Sequence, residues 1–220
     1  MSTRRIFIKN SLGSLAALTI GNEAFSLTKG FSKKEKLGVA LVGLGYYSTD
    51  LLAPALQLTQ YCSLKGIVTG SPDKAKKWQQ QYHIPEKNIY NYQSFDSIVN
   101  NSDIDVIYIV LPPSMHAQYV IKAANAGKHV WCEKPMAISV AECQAMIDAC
   151  KKNKVKLSIG YRMQHEPNTQ HIIQFRKDKI FGSVKEVVAR AGYFDPRTNH
   201  WKQQKEIGGG AMYDMGVYPL

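Results

Sequence analysis

Cysteine is scarce in this chain: 4 in 220 residues. Cys62, Cys132, Cys143 and Cys150 form neither a C-x-x-C pair nor a zinc-type spacing, which argues against a zinc finger, a thioredoxin-like redox pair and a disulfide-built scaffold. Cys143 and Cys150 fall on one face of a predicted helix and read as buried thiols. The 6 histidines are scattered singly, with no H-E-x-x-H pattern, so no metal is expected. Long apolar runs are also missing, and nothing here is long enough to stay in a bilayer. Acid is the minority charge, 17 Asp and Glu against 28 Lys and Arg, for a formal net charge of +11. Seven of the bases but only two of the acids lie in residues 1–36, leaving 21 against 15 beyond them. That surplus is moderate and forms no dense basic stripe interleaved with aromatics, so neither nucleic acid nor a stable membrane association is expected.

Thr3-Arg4-Arg5-Ile6-Phe7-Ile8-Lys9 precedes a mildly apolar run, Leu12 to Ile20, and then Ala24-Phe25-Ser26 places small residues at a cleavage-site spacing. This layout is that of a twin-arginine export signal over residues 1–26, with a charged linker at 27–36 and a periplasmic destination. A basic disordered tail is the alternative.

From Leu37 onward the chain alternates short apolar runs with helical patterns. Leu37 to Gly43 is a strand-length apolar run followed by Leu44-Gly45-Tyr46-Tyr47-Ser48 and a helical stretch through Leu58. Strand, glycine turn and helix in that order are the setting of a dinucleotide fingerprint. Gly43 permits the tight turn, Gly45 lets backbone N–H groups approach a pyrophosphate, and Ser48 replaces the third glycine. Strands follow at Ser63 to Thr69, Val106 to Leu111, His129 to Cys132 and Val155 to Ile159. Between them lie helices at Pro72 to Tyr82, Met115 to Ala126 and Ser139 to Asn153, the last opened by a Ser139/Glu142 capping box. The expectation is an α/β fold with a Rossmann-type, doubly wound parallel sheet over residues 37–160.

The second strand ends at Thr69 rather than at an acid, and Lys74, Lys76 and Lys77 follow. A hydroxyl with a lysine nearby favours a ribose 2′-phosphate over a free 2′-hydroxyl, so NADP is expected, with NAD as the lesser possibility. Some of these lysines must simply form an exposed helix face, and Lys74 is the best contact. Leu111, Pro112, Ser114 and His116 follow the third strand, where the nicotinamide half of a cofactor belongs. Ser114 is a candidate cap of the next helix, and His116 either points at the ligand or serves the structure.

Ala126 to Ala137 contains the chain's main chemical motif. A short strand from His129 delivers Glu133 and Lys134 to the sheet edge, and Pro135 stops the strand there by withholding a donor. A solvated loop lysine is the alternative for Lys134. Beyond Ile159, Gly160-Tyr161-Arg162 forms a loop facing the cofactor, Asn168 to Lys179 a helix, and Val184 to Tyr193 an alternating strand of the kind found in antiparallel sheets. No later strands are present to pair with it, so residues 161–220 read as the incomplete start of a second, substrate domain, with a long exposed edge strand as the alternative. The last motif is Gly208-Gly-Gly-Ala-Met-Tyr-Asp214-Met-Gly-Val-Tyr218-Pro. If helical, it places Asp214 and Tyr218 on one face; a capping Asp and a packed Tyr are the rival reading.

Taken together, the Gly43-Leu-Gly-Tyr-Tyr, Glu133-Lys-Pro, Gly160-Tyr-Arg and Gly208-to-Tyr218 stretches resemble the glucose-fructose oxidoreductase/inositol dehydrogenase/MocA family, nearest its glucose-fructose oxidoreductase branch. The resemblance covers Leu37 to Leu220. It implies a Rossmann domain followed by an open antiparallel α+β sheet domain, most of which lies outside this sequence. It further implies NADP-dependent sugar oxidoreduction with Lys134, Asp214 and Tyr218 as the catalytic constellation. Thr69 and Lys74 would hold the 2′-phosphate, and Tyr90, His116, Glu133 and Arg162 would face the cofactor. Ser48, Pro113 and a short approach from Trp201 to the glycines depart from the pattern. The expected chemistry has Tyr218 as acid/base beside the Lys134 ammonium, with Asp214 orienting the sugar. A cofactor-dependent glycosidase on the same fold and a non-catalytic NADP-binding regulator are the alternatives. The expected partner is a small sugar, and the full-length protein is expected to be a homo-oligomer.

Overall fold

The computed structural model describes residues 34–218. The expected export signal lies outside the described residues, as do Pro219 and Leu220. Six strands form one sheet: β1 (Leu37–Val42), β2 (Cys62–Val68), β3 (Ile89–Tyr90), β4 (Val106–Ile109), β5 (His129–Cys132) and β6 (Leu157–Ile159). Their spatial order is β3-β2-β1-β4-β5-β6, and every neighbouring pair is parallel. This is the doubly wound order that reverses between β1 and β4, and a ligand crevice belongs above that reversal.

Helices cover both faces, which explains why β1 is apolar at every position rather than at alternate ones. Ala40 and Val42 enter one core with Ile107, Ile109, Val120, Val130 and Met146, while Val39 and Leu41 enter the other with Ile67, Trp78 and Leu56. Full burial of each Val, Leu or Ile contributes about 1.5–3 kcal/mol, so a polar residue at any position from Val39 to Val42 would damage one layer or the other.

The connecting helices are α1 (Ala53–Leu58), α2 (Pro72–Tyr82), α3 (His116–Asn125), α4 (Val140–Lys152) and α5 (Pro167–Asp178). Ser71 caps α2 by accepting from the Lys74 N–H at 3.4 Å, and Ser139 caps α4 by accepting from Glu142 N–H at 3.2 Å. The Glu142 carboxylate reaches back to the Ile138 N–H at 3.1 Å, completing the expected box one residue early. α3 starts differently: its cap is Met115, with no side-chain bond, so Ser114 is not the cap it was expected to be.

Three expectations need correcting. The helix after the glycine turn is two pieces, a π-helical turn at Tyr47–Leu52 followed by α1. Pro54, near the start of α1, cannot donate an amide hydrogen bond back into the preceding turn. Residues 184–193 form no strand, and Val184, Val187, Val188 and Tyr193 are exposed; no strand among the described residues lies beside them to supply a ladder. Asp214 to Tyr218 is not an α-helix either, but the end of a π-helical turn at Met212–Gly216 with a tight turn after it. β3 and a 3-10 segment at Phe95–Asn100 were not expected; both are too short to show periodicity.

Candidate active site

Above the reversal point, the end of β1 turns sharply at Gly43, where φ is +90°. A Cβ there would stand 2.4 Å from the Val110 carbonyl oxygen, so the turn requires glycine on two counts. Gly45 is different: a Cβ on it would meet nothing within 4 Å. The space above Gly45 therefore admits the close approach of a phosphate to backbone, the fit a dinucleotide needs. Ser48 is fully buried and its hydroxyl donates to the Gly43 carbonyl at 2.6 Å. It fastens the turn from beneath, so its hydroxyl is spent on the protein where the fingerprint would carry its third glycine. Tyr46 is exposed beside the turn, and Tyr47 is half-buried.

At the end of β2, Thr69 Oγ1 accepts from the Ser71 N–H at 3.2 Å, and Lys74 Nζ donates to the Leu44 carbonyl at 3.2 Å. The ammonium of Lys74 thus stands against the glycine turn, 30 residues away in sequence, with no carboxylate at the strand end to disfavour a 2′-phosphate. Tyr90 does not share this surface. Its ring is in the core, and its hydroxyl accepts from Asn101 Nδ2 at 2.6 Å, so it is corrected from cofactor-facing to structural.

For His116 the structure supports the second of its two readings, a structural role. It is fully buried, with Nδ1 2.9 Å from the Pro135 carbonyl and Nε2 2.8 Å from the Leu111 carbonyl. Burial pushes its imidazole below the ordinary value, against the pull of these carbonyls. Rather than facing a ligand, it ties the loop after β4, with Leu111 and Pro112, to the loop after β5 that carries Lys134.

Glu133 follows β5 and is mostly buried. Its Oε1 accepts from the Tyr108 hydroxyl at 2.6 Å and Oε2 accepts from the Lys134 N–H at 3.3 Å. Burial raises its carboxyl above the usual carboxylate range, opposed by Tyr108, Lys134 and Arg162. Burial likewise raises Tyr47, with the Glu133 charge adding to it, Arg162 opposing, and Tyr218 adding a smaller push. These interactions bring the fingerprint turn, the end of β5, the loop after β6 and the final turn into electrostatic reach of one another. Gly160 makes room for the arrangement, since a Cβ there would stand 2.9 Å from Glu133 Oε1.

Lys134 projects from the β5 end toward Asp214. Its Nζ donates to the Asp214 backbone carbonyl in a short contact and lies 3.3 Å from Asp214 Oδ1. The same ammonium lies 4.7 Å from the centre of the Tyr218 ring. The side chains of Lys134 and Asp214 are only 13% and 18% exposed, so this ion pair is largely withdrawn from water. The three residues predicted from 80 positions of sequence separation are together in space. The final turn is anchored by Tyr213, whose hydroxyl donates to the Ile138 carbonyl at 3.1 Å. Gly208 adds a tight fit, because a Cβ on it would fall 2.6 Å from Pro113 and 2.7 Å from Ile138.

Two members of this cluster were missed. Lys202 Nζ donates to Asp214 Oδ2 at 2.9 Å and Tyr193 OH donates to the same oxygen at 2.7 Å. Burial alone would raise the Asp214 carboxyl, but Tyr193, Lys202 and Lys134 outweigh it and hold the group below its ordinary value. For Lys202, burial works against the ammonium, and Asp214 and Tyr193 prevail to raise it. Among the described residues no group of three or more His, Cys, Asp or Glu is arranged to hold a metal, and no helix is long and apolar enough to cross a membrane.

Comparison with known proteins decides the family. Residues 37–161 match the model of the Gfo/Idh/MocA oxidoreductases, described as an oxidoreductase family with an NAD-binding Rossmann fold. The chain belongs to this family. An aldose-aldose oxidoreductase from Caulobacter crescentus, solved with glycerol, is 38% identical and superposes with a TM-score of 0.75 over 83% of this chain and 55% of that one. The NADP(+)-dependent D-xylose 1-dehydrogenase of Haloarcula marismortui is 26% identical over 89% of this chain and 58% of its own length. The 2,7-anhydro-N-acetylneuraminate hydratase of Escherichia coli is 27% identical over 80% of this chain and 46% of its own. The chain thus spans about half the length of the curated relatives it matches.

Proposed function

We propose that this family member is an NADP-dependent sugar oxidoreductase that moves a hydride between a hydroxyl-bearing carbon of a sugar or polyol and the nicotinamide. The observation that carries the reading is the shielded Lys134–Asp214 pair with Tyr218 against it, at the strand-end edge that also holds the glycine turn. The open space over Gly45, the Lys74 ammonium on Leu44 and the Thr69 strand end suit NADP. When bound, the nicotinamide supplies the hydride acceptor, and the protein supplies geometry and proton handling.

In this reading Lys134 donates to the hydroxyl oxygen of the substrate carbon undergoing oxidation. Tyr218, acting as its phenolate on the same ammonium, takes the hydroxyl proton and becomes the neutral phenol. Asp214 fixes Lys134 toward the substrate. Glu133, held by Tyr108 and Gly160, borders the cofactor side of the pocket together with Tyr47 and Arg162. The similarity to an aldose-aldose oxidoreductase and a xylose dehydrogenase supports an aldose as the first substrate to try.

The test is a panel of aldoses and polyols offered with NADP, with reduced nucleotide followed by absorbance. The expected result is reduction with at least one aldose and slower reduction with NAD; no reduction across the panel refutes the reading. Similarity to a hydratase of an anhydro sugar favours one second reading, in which the sugar is oxidised only transiently so that a bond can be eliminated. Release of nitrophenol from a nitrophenyl glycoside without net nucleotide reduction would select it. Export through the twin-arginine pathway is part of the proposal and rests on Arg4, Arg5 and the Ala24/Ser26 spacing. Replacing both arginines with lysine should leave the protein in the cytoplasmic fraction; unchanged periplasmic recovery refutes it. A homo-oligomer is proposed for the full-length protein, to be tested by sedimentation.

A further inference from the structure

Asp214 lies between two ammonium groups, and only Lys134 belongs to a motif legible in the sequence. The other, Lys202, comes from the 3-10 turn Trp201–Gln203 and donates to both carboxylate oxygens, at 3.0 Å to Oδ1 and 2.9 Å to Oδ2. Oδ1 also faces Lys134 Nζ at 3.3 Å, and Oδ2 accepts from Tyr193 OH at 2.7 Å. Lys202 donates in addition to the Tyr193 hydroxyl at 3.1 Å, closing a ring of contacts. Each carboxylate oxygen therefore accepts two hydrogen bonds, which leaves it little capacity to take a proton from a substrate.

The backbone is shaped to keep Lys202 in place. A Cβ on Gly209 would stand 2.5 Å from both the carbonyl carbon and the oxygen of Lys202, and 2.7 Å from the Trp201 oxygen. The Gly210 N–H donates to the Lys202 carbonyl at 2.7 Å. The glycine run thus has a second task besides approaching Pro113 and Ile138: it lets the Trp201 turn close onto the Asp214 segment. The ammonium of Lys202 also lies 5.5 Å from the Tyr193 ring centre and 5.9 Å from that of Trp201.

We propose that Lys202 is a positioning residue, partnered by Tyr193, which clamps Asp214 as a permanent carboxylate so that Asp214 aims the Lys134 ammonium and exchanges no proton during turnover. The clamp stands on the contacts alone, while its consequence for turnover rests on the sugar-oxidation reading. The groups that face Asp214 are Lys134 from the loop after β5, Tyr193 and Lys202 from the preceding segment, and Tyr218 across the Lys134 ammonium. With both Asp214 oxygens engaged, proton removal falls to Tyr218.

Carbon-13 carboxyl NMR of the purified chain reads the clamp directly, with the Asp214 resonance identified by its loss in Asp214→Asn. The titration midpoint of Asp214 should move upward in Lys202→Met and in Tyr193→Phe, and stay close to its original value in Lys202→Arg. An unmoved midpoint in Lys202→Met overturns the clamp. With an aldose that the unaltered protein oxidises, Lys202→Met should lower kcat at least about tenfold, the scale of one charge-assisted hydrogen bond. KM for NADP should hold, and Lys202→Arg should recover most of the rate. Wild-type kcat in Lys202→Met overturns the positioning role. If the unaltered protein oxidises no sugar while the Asp214 midpoint still moves, the oxidation reading fails together with the positioning role, and the clamp is kept.

Discussion

Alanine at Gly43 and alanine at Gly45 should have separable effects, although both glycines belong to one fingerprint. At Gly43 the backbone holds φ at +90° and a Cβ would meet the Val110 carbonyl oxygen at 2.4 Å and Leu111 Cδ2 at 2.8 Å. Placing an L side chain in the left-handed region costs about 1–2 kcal/mol, and forcing an extra methyl against packed neighbours about 1–3 kcal/mol. Gly43→Ala should therefore lose about 2–5 kcal/mol of stability, a fall of roughly 1–2.5 M in the urea midpoint for an m-value near 2 kcal/mol/M. At Gly45 the new methyl group meets no protein atom within 4 Å, and the residue is not among those with positive φ. Gly45→Ala should leave the unfolding free energy within about 0.5 kcal/mol of the original. If that open space is where the pyrophosphate approaches the backbone, the same methyl group should weaken NADP binding at least about tenfold, or about 1.4 kcal/mol. Paired urea denaturation and calorimetric titration with NADP separate the two effects. Gly45→Ala that binds NADP as tightly as the unaltered chain would refute the location of the nucleotide.

Other expectations follow from the same geometry. Lys74→Glu puts a carboxylate on the glycine turn where an ammonium contacts Leu44; NADP affinity should fall at least about tenfold while NAD affinity changes little, because only the former carries the 2′-phosphate. Burial depresses His116 in the fold, so the unfolded chain takes up its proton first as pH falls below about 6.5. The His116 contribution to stability is thus complete above that pH and declines below it, and His116→Phe should flatten this part of a urea-midpoint-versus-pH curve. Ile107, fully buried in the central strand β4, should cost about 2–5 kcal/mol on replacement by alanine, measured by the same denaturation.

The parts of this structure that were legible in advance are those in which local pattern and tertiary role agree. β5, His129–Cys132, and α2, Pro72–Tyr82, lie where the sequence places them, because the strand is bounded by Gly127 and Pro135 and the helix by its Ser71 cap and Pro72. The Lys134–Asp214–Tyr218 grouping was legible only through family resemblance, since no local periodicity links positions 80 apart. Ser48, Tyr90 and His116 share one feature that the sequence does not reveal. Each is a polar side chain near a strand end, and each spends its polar atoms on the protein itself, on Gly43, Asn101 and the Leu111 and Pro135 carbonyls. Burial separates such a residue from a ligand contact, and burial is a tertiary property. Lys202 and Tyr193 escaped notice because they reach Asp214 from irregular segments, 12 and 21 residues upstream. The signal available was the short distance from Trp201 to the glycines, which forces the intervening turn against the Asp214 segment. Residues 184–193 show the reverse failure. Alternating polarity marks a strand only when a neighbour supplies the ladder, and none among the described residues does.

Lys134→Met, assayed for both nucleotide binding and sugar-dependent nucleotide reduction, tests the central claim most directly. The methionine keeps the length of the side chain while removing the ammonium that joins Asp214 to Tyr218. The account predicts NADP binding within about threefold of the original, or roughly 0.7 kcal/mol, together with a loss of at least about a hundredfold in the oxidation rate, the low end for a general acid–base partner. A variant that binds NADP and still oxidises the sugar at the original rate would contradict it.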